Sequence, residues 1–409
     1  MSKGKASKPH IGIFGRRNYG KSSLINELAQ QDVAIVSDVA GTTTDPVKKS
    51  IEIPGIGAAV LVDTAGIDDS GELGKKRIAK TLHAIKTIDI AILLIADNQF
   101  DETEENLILA FKKYDVPYFM VYNKSDLSPL LRGMKEEISL KTGAGIVEFS
   151  IKNPTNHDEI VAMMQKLMPD YAFRPGSMLG DIISPGDSVL LVTPIDLEAP
   201  EGRMILPQMQ AIRDVLDNDA IVTVLKETEL EQFLKKMQPK PVIVITDSQV
   251  FGKVNKIVPT EIPLTGFSVL LAQHNGDFES YLKGTPHLSA LNNGDRVLIL
   301  ESCTHHVTCD DIGRVKLPAW ISKFTAKHLE FDIVAGLDDP PRPISDYALA
   351  IQCGGCMITR KQIYSRLKPA IEAGIPVTNY GMAIAYLHGI YDRAIAPFLK
   401  SDLKKSQSQ

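Results

Sequence analysis

Between residues 10 and 168 the chain alternates short apolar runs with longer stretches in which apolar residues recur every three or four positions. Residues 11–14, 58–62, 90–95, 118–122 and 146–149 are apolar almost throughout, the mark of strands covered on both faces. The spacing predicts a helix over 22–30 and helical segments between most of the other runs. Strand and helix in alternation predict an α/β domain with a mainly parallel sheet. Residues 169–185, rich in Pro, Gly and aromatics, break the pattern and read as a linker. A second α/β series follows, with strands over 188–192, 221–224 and 242–246 and helices over 207–216 and 227–237. A third begins near residue 263. Its strands over 297–300 and 347–351 lead into cysteine-bearing loops, and a helix over 360–373 is stopped by Gly374. The polar tail 400–409 is expected to be disordered. The expected domains are 1–168, 169–262 and 263–409, all α/β.

Composition narrows the function classes. Hydrophobic residues at 44% and charged residues at 23% suit a folded chain that builds its cores without disulfides. A net charge of −5 offers no attraction to nucleic acid or to an anionic membrane, so neither is expected as a partner. No apolar run approaches the ~18–20 residues of a membrane span, and the polar, lysine-bearing start lacks the apolar stretch of a signal peptide. A cytoplasmic protein is expected. There, Cys303, Cys309, Cys353 and Cys356, all in the last third of the chain, point to a metal or redox site before a disulfide. Cys309 reads equally well as a buried apolar filler.

The first loop carries chemistry. Gly15-Arg16-Arg17-Asn18-Tyr19-Gly20-Lys21-Ser22 fits G-x-x-x-x-G-K-[ST] between a strand and a helix. Gly15 and Gly20 let backbone N–H groups wrap phosphates, and the helix N-terminus adds positive potential. Lys21 is expected to reach the β- and γ-phosphates and Ser22 to ligate Mg²⁺, with Ser23 beside it. Asp63-Thr64-Ala65-Gly66 is D-x-x-G: Asp63 can hold Mg²⁺ through water, and the Gly66 N–H can sense the γ-phosphate. Asn123-Lys124-Ser125-Asp126 is N-K-x-D. The Asp126 carboxylate can accept from both N1–H and the 2-amino group of guanine, a donor pair that adenine lacks. Ser150-Ile151-Lys152 stands where guanine-binding proteins carry S-A-K. Gly41-Thr42-Thr43-Thr44-Asp45 supplies a threonine to complete the Mg²⁺ shell, with Thr43 favoured over Thr42. These motifs together imply GTP as the nucleotide and GTP hydrolysis as the reaction.

Ile67 follows D-x-x-G where Ras-like enzymes place a water-orienting Gln, so hydrolysis must use another device. Residues 10–165 resemble the Era/TrmE branch of translation-factor-like GTPases, on the strength of G-x-x-N-x-G-K-S and G-T-T-x-D. The resemblance implies that Asn18 helps to hold K⁺ beside the phosphates in the place of an arginine finger. A cation there offsets charge on the β–γ bridge. Slow, K⁺-stimulated hydrolysis is expected, with Lys21, Asn18, Thr43 and Gly66 around the transferred phosphate.

The cysteines have their own spacing: Cys303-Thr304-His305-His306, then 46 residues, then Cys353-Gly354-Gly355-Cys356. A C-x-x-C pair lets two thiolates grip one metal or cluster from a tight turn, and Cys303 supplies a third. Three cysteines plus one other ligand suit a structural Zn²⁺ completed by His305 or His306. They also suit a 4Fe–4S cluster with one iron lacking a thiolate, although the commonness of Cys/His zinc sites modestly favours zinc from spacing alone. Spacing leaves both open. The zinc case would make the chain a zinc-containing GTPase of RNA modification or ribosome assembly, against which the negative charge argues.

The three segments together resemble the HydF family of FeFe-hydrogenase maturation GTPases, over nearly the whole chain. The specific parts are Cys303-Thr304-His305-His306, Asp311-Ile312-Gly313-Arg314-Val315-Lys316-Leu317-Pro318, Cys353-Gly354-Gly355-Cys356 and Thr378-Asn379-Tyr380-Gly381. The resemblance implies a 4Fe–4S cluster on Cys303, Cys353 and Cys356, and a homodimer formed through the middle domain. It also implies a scaffold that receives a diiron H-cluster precursor from the radical-SAM maturases HydE and HydG and delivers it to the apo FeFe-hydrogenase HydA. The chain departs from the family at Gln352, where a His usually precedes C-x-x-C. A neutral amide is a poor iron ligand. The candidates for the fourth position are His305, His306, Cys309 and Asp310, with Asp310 favoured.

Overall fold

The computed structural model describes residues 8–30, 47–64, 72–152, 156–173, 176–194, 204–302, 311–355 and 358–406. Residues 1–175 and 176–409 form two compact units. The first is built on six strands: β1 (His10–Gly15), β2 (Val47–Ile53), β3 (Gly57–Asp63), β4 (Ile90–Ile95), β5 (Tyr118–Tyr122) and β6 (Ile146–Glu148). They lie in the order β2-β3-β1-β4-β5-β6, all parallel except β2 against β3. Burial on both faces explains the apolar runs. Ile11, Ile13, Ile92, Leu94 and Val121 enter one core with Leu24 and Leu28 of the helix Lys21–Ala29. Phe14, Leu93, Ile95 and Met120 enter the other with Leu107 and Phe111 of the helix Glu102–Lys113. The sequence pattern does not predict β2. It is an edge strand that buries only Ile51 and Ile53, with Lys48 exposed and Lys49 half-buried.

The second unit carries two sheets. One comprises β7 (Ser188–Val192), β8 (Ile221–Leu225), β9 (Ile243–Thr246) and β10 (Leu264–Gly266), in the order β10-β9-β7-β8. The other comprises β11 (Arg296–Leu300), β12 (Glu330–Val334), β13 (Leu349–Gln352) and β14 (Val377–Asn379), in the order β12-β11-β13-β14. Every pair in both is parallel. Counted from its own first strand, each sheet has the same order, 2-1-3-4.

Three expectations change. β10 lies beyond residue 262 yet pairs in parallel with β9, and its three residues, Leu264-Thr265-Gly266, form no apolar run that would announce a strand. Met178, Leu179 and Ile183, inside the expected linker, are buried in the core of the second unit. The helix Tyr391–Ser406 takes in residues 400–406 of the expected disordered tail. It is anchored upstream, where Ala394, Ile395 and Phe398 are buried and Thr265 Oγ donates to the Ala394 carbonyl at 2.8 Å. Arg393 fastens the same helix to the carbonyls of Asn255, Val258 and Ile262.

Among the described residues no helix is long and apolar enough to cross a membrane. β8 is the outer strand of its sheet, with Ile221 59% and Val224 39% exposed, and Leu216 on the neighbouring helix Leu206–Asp217 is 53% exposed. An apolar outer strand with an unpaired ladder invites pairing with a second copy. Ile221→Lys is expected to weaken self-association roughly tenfold, the effect of about 1.4 kcal/mol. Sedimentation over a concentration series checks this, and an unchanged association constant would refute it.

Candidate functional site

The phosphate loop leaves β1 and ends at the helix Lys21–Ala29, whose N-cap, Gly20, has no side chain to occupy the first-turn N–H groups. No acidic residue sits in that turn, so its positive potential is preserved. Gly20 has φ +90°, and a Cβ there would stand 2.3 Å from Asn123 Nδ2. The position therefore requires glycine on both counts. Asn123 reaches across from the end of β5, and its Nδ2 donates to the Tyr19 carbonyl at 2.7 Å. Its Oδ1 is buried and has no hydrogen-bond partner. The nucleotide loop and the base-reading motif are thus held together by one amide.

Lys21 Nζ donates to the Gly15 and Arg16 carbonyls at 2.8 Å, which holds its charge over the loop. Ser22 and Ser23 occupy the first helical turn. Arg16 is engaged by the start of the helix Glu102–Lys113. It binds Glu104 through both nitrogens at 2.8 Å and Asp101 at 2.6 Å, and it holds the Asp101 carboxyl down at about 2. Asn18 is exposed at φ +60°. Asp126 accepts from Ser150 Oγ at 2.6 Å, and Lys152 Nζ stands 3.8 Å away. The Ser150 hydrogen bond, ahead of the Lys152 charge, lowers the Asp126 pKa and favours the acceptor form that guanine needs. Lys124 takes a left-handed conformation in the same turn. Asp63 ends β3 beside β1, and the Thr64 hydroxyl donates to the Ile13 carbonyl at 2.7 Å. Thr42, Thr43 and Gly66 lie outside the described residues.

The second cluster forms at the carboxyl edge of the third sheet. β11 and β13 are neighbours, with Leu300 opposite Gln352. Ser302 therefore meets Cys353: its N–H donates to Cys353 Sγ at 3.1 Å, and its Oγ lies 2.9 Å from that sulfur. Gln352, fully buried, places Nε2 at 3.0 Å from Ser302 Oγ and 3.6 Å from Cys353 Sγ. Asn379, at the end of β14, donates to the Cys353 carbonyl at 3.4 Å. The sequence reading treated Gln352 as a lost ligand; in the fold its amide is a donor to the sulfur. Cys303, His305, His306, Cys309, Asp310 and Cys356 lie outside the described residues. Among the described residues no three metal-ligating side chains cluster.

The donor set fits a thiolate-bound cluster, because N–H groups aimed at sulfur stabilise its negative charge. Among the described residues, buried Gln352 Oε1, Arg366 Nε and Tyr380 Oη also lack partners at this edge. Sequence reasoning missed Ser302, Glu301 and Arg366, which belong to no motif. It had marked Tyr380 only as part of a resemblance.

The first unit has the sheet order and loop geometry of a P-loop GTPase domain, and residues 10–124 match the family described as 50S ribosome-binding GTPase. The second unit decides the family. Residues 178–276 match the hydrogen maturase F dimerization domain and residues 279–397 the hydrogen maturase F tetramerization domain. The chain belongs to the hydrogen maturase F family, HydF.

The tRNA modification GTPase MnmE of Chromobacterium violaceum is 36% identical over 160 residues, 39% of this chain and 34% of that protein. The GTPase Der of Campylobacter concisus is 40% identical over 115 residues, 28% of this chain and 25% of that protein. The chain thus spans about a third or less of the curated relatives it matches, and the likeness is confined to the G domain. The crystal structure of Aquifex aeolicus Era with GDP and aluminium fluoride bound covers 56% of this chain and 98% of its own, at 20% identity and a TM-score of 0.36.

Burial raises the Asp63 pKa, with Lys21 and Lys49 acting in the opposite direction. The folded state thus holds this proton more tightly than the unfolded chain. Stability falls as pH rises from the ordinary carboxylate range through the raised value, and it stays lost at neutral pH. A bound Mg²⁺ would offset that cost. Asp63→Asn is expected to raise the metal-free melting temperature by about 2–4 °C at neutral pH. It should also remove the further rise produced by Mg²⁺ with GDP. Calorimetry with and without Mg²⁺ checks both, and a lower metal-free melting temperature would contradict this account.

Proposed function

We propose that this chain is a GTP-hydrolysing scaffold that carries a 4Fe–4S cluster and a diiron precursor of the FeFe-hydrogenase H-cluster. Cys303, Cys353 and Cys356 hold the cluster, and Asp310 is the favoured fourth ligand. The precursor is cargo, taken from HydE and HydG and passed to HydA. The chain works as a homodimer joined at β8. The observation that carries the cluster reading is the double donation to Cys353 Sγ from the Ser302 N–H and the Gln352 amide. Such donors stabilise the thiolate that a cluster requires and tune its potential. When bound, the cluster supplies an iron whose ligand can be exchanged. The chain's own residues hold the Cys353 sulfur at the sheet edge through the Ser302 N–H and the Gln352 amide.

Nucleotide chemistry belongs to the first unit. Lys21 and the first-turn N–H groups neutralise the phosphates, and Ser22, Thr43 and Asp63 surround Mg²⁺. Asn123 and Asp126 read guanine, with Lys124 and Lys152 over the base and Ser150 fixing the Asp126 carboxylate. Arg16 is engaged by Glu104 and Asp101, so compensation of charge on the β–γ bridge falls to K⁺ at Asn18. GTP turnover is expected to rise on the order of tenfold in K⁺ over Na⁺, and Asn18→Ala should remove the difference. Equal stimulation by the two cations would exclude this role.

The cluster is tested by anaerobic iron and acid-labile sulfide analysis, with EPR of the dithionite-reduced protein. About four irons per chain and a reduced-cluster signal are expected, both diminished in Cys303→Ala. Zinc in place of iron after anaerobic reconstitution would overturn the carrier reading.

A further inference from the structure

Among the described residues, three buried polar atoms without a hydrogen-bond partner stand at the carboxyl edge of the third sheet: Gln352 Oε1, Arg366 Nε and Tyr380 Oη. Gln352 ends β13, and Tyr380 follows Asn379 at the end of β14. Arg366, on the helix Arg360–Glu372, donates to the Glu301 carbonyl at 2.8 Å and the Val334 carbonyl at 3.0 Å, at the ends of β11 and β12. Buried polar groups are almost always paired, so three orphans on one edge mark a place for another group.

Charge identifies the kind of group. Among the described residues Arg366 bonds only to carbonyl oxygens. The neighbouring carboxylate, Glu301, is taken by Arg314, whose Nε and Nη2 reach Oε2 at 2.9 and 2.8 Å. Burial works against the Arg366 charge, and the Cys353 sulfur is the first group that supports it. Among the described residues no carboxylate is in hydrogen-bonding contact with this guanidinium, Asp338 and Glu301 supporting its charge only at longer range, and a buried guanidinium so placed favours an anion. Tyr380 is turned to the same side. A Cβ on Gly313 would lie 2.1 Å from Tyr380 Oη and 2.8 Å from Glu301 Oε1, so the absence of a side chain there leaves room for the phenol.

We propose that Arg366 and Tyr380 form an anion subsite beside the cysteine loop, which donates to a small anion held at the exchangeable fourth position of the cluster in place of Asp310. This rests on the cluster reading above. The subsite favours a monoanion over a neutral ligand of similar donor strength, because the guanidinium contributes only to the charged one.

The test uses the reconstituted, reduced full-length protein, titrated by EPR with azide and separately with imidazole. Arg366→Gln should weaken azide at least tenfold and leave imidazole unchanged, while Arg366→Lys should keep part of the azide affinity. Tyr380→Phe should weaken azide several-fold, and the cluster-free variant should melt no lower than its parent, since the deleted hydroxyl has no partner. Unchanged azide affinity in Arg366→Lys and Tyr380→Phe overturns the subsite even if Arg366→Gln does not fold. A parallel loss of azide and imidazole overturns it too. Iron and sulfide content separates the two levels: an iron-free parent refutes the cluster, whereas a fully loaded parent with unaltered azide binding in the variants refutes the subsite alone.

Discussion

β11 and β13 run side by side in parallel, with Leu300 opposite Gln352 and the Cys353 amide donating to the Leu300 carbonyl at 2.9 Å. That register brings together segments about fifty residues apart and sets Ser302 against Cys353. A slip of one residue would turn Gln352 to the other face and carry Cys353 away from the Ser302 N–H. Both faces of these strands are buried: Leu298, Leu300 and Ala350 on one side, Val297, Ile299, Leu349 and Ile351 on the other. The apolar packing that fixes the register therefore also fixes the sulfur.

The G domain follows the same logic with different chemistry. Parallel strands open their loops on one edge, where ligand sites of open α/β sheets lie. There the phosphate loop after β1, Asp63 after β3 and Asn123 after β5 come into range of one nucleotide. The Asn123 amide on the Tyr19 carbonyl connects the base-reading loop to the phosphate loop, so displacement of one is felt by the other. Arg16 ties the phosphate loop to the helix Glu102–Lys113 through Glu104, which is wholly buried.

Much of this was legible in the sequence because phosphate, guanine and thiolate chemistry each demand particular residues at fixed separations. Gly20, Lys21, Asn123 and Asp126 announce themselves for that reason. The central strands announce themselves too, because burial on both faces leaves an unbroken apolar run. What stayed hidden depends on register or on brevity. β2 is charged and at an edge, and β10 and β14 have three residues each. β12 keeps one fully buried position, Val334. Gln352 reads in the sequence as a missing histidine; only the pairing of β13 with β11 gives its amide a sulfur to face. Arg366 carries no signal at all, since its meaning lies in the strand-end carbonyls of Glu301 and Val334 that the fold brings to it.

The two sheets of the second unit share one winding, and this bears on protein engineering. The loops after β7 and β9 occupy the same topological positions as the loops after β11 and β13, one bearing Cys303 and the other the Cys353–Cys356 pair. A designer who wished to transplant the cysteine motif would find a recipient already wound inside the same molecule.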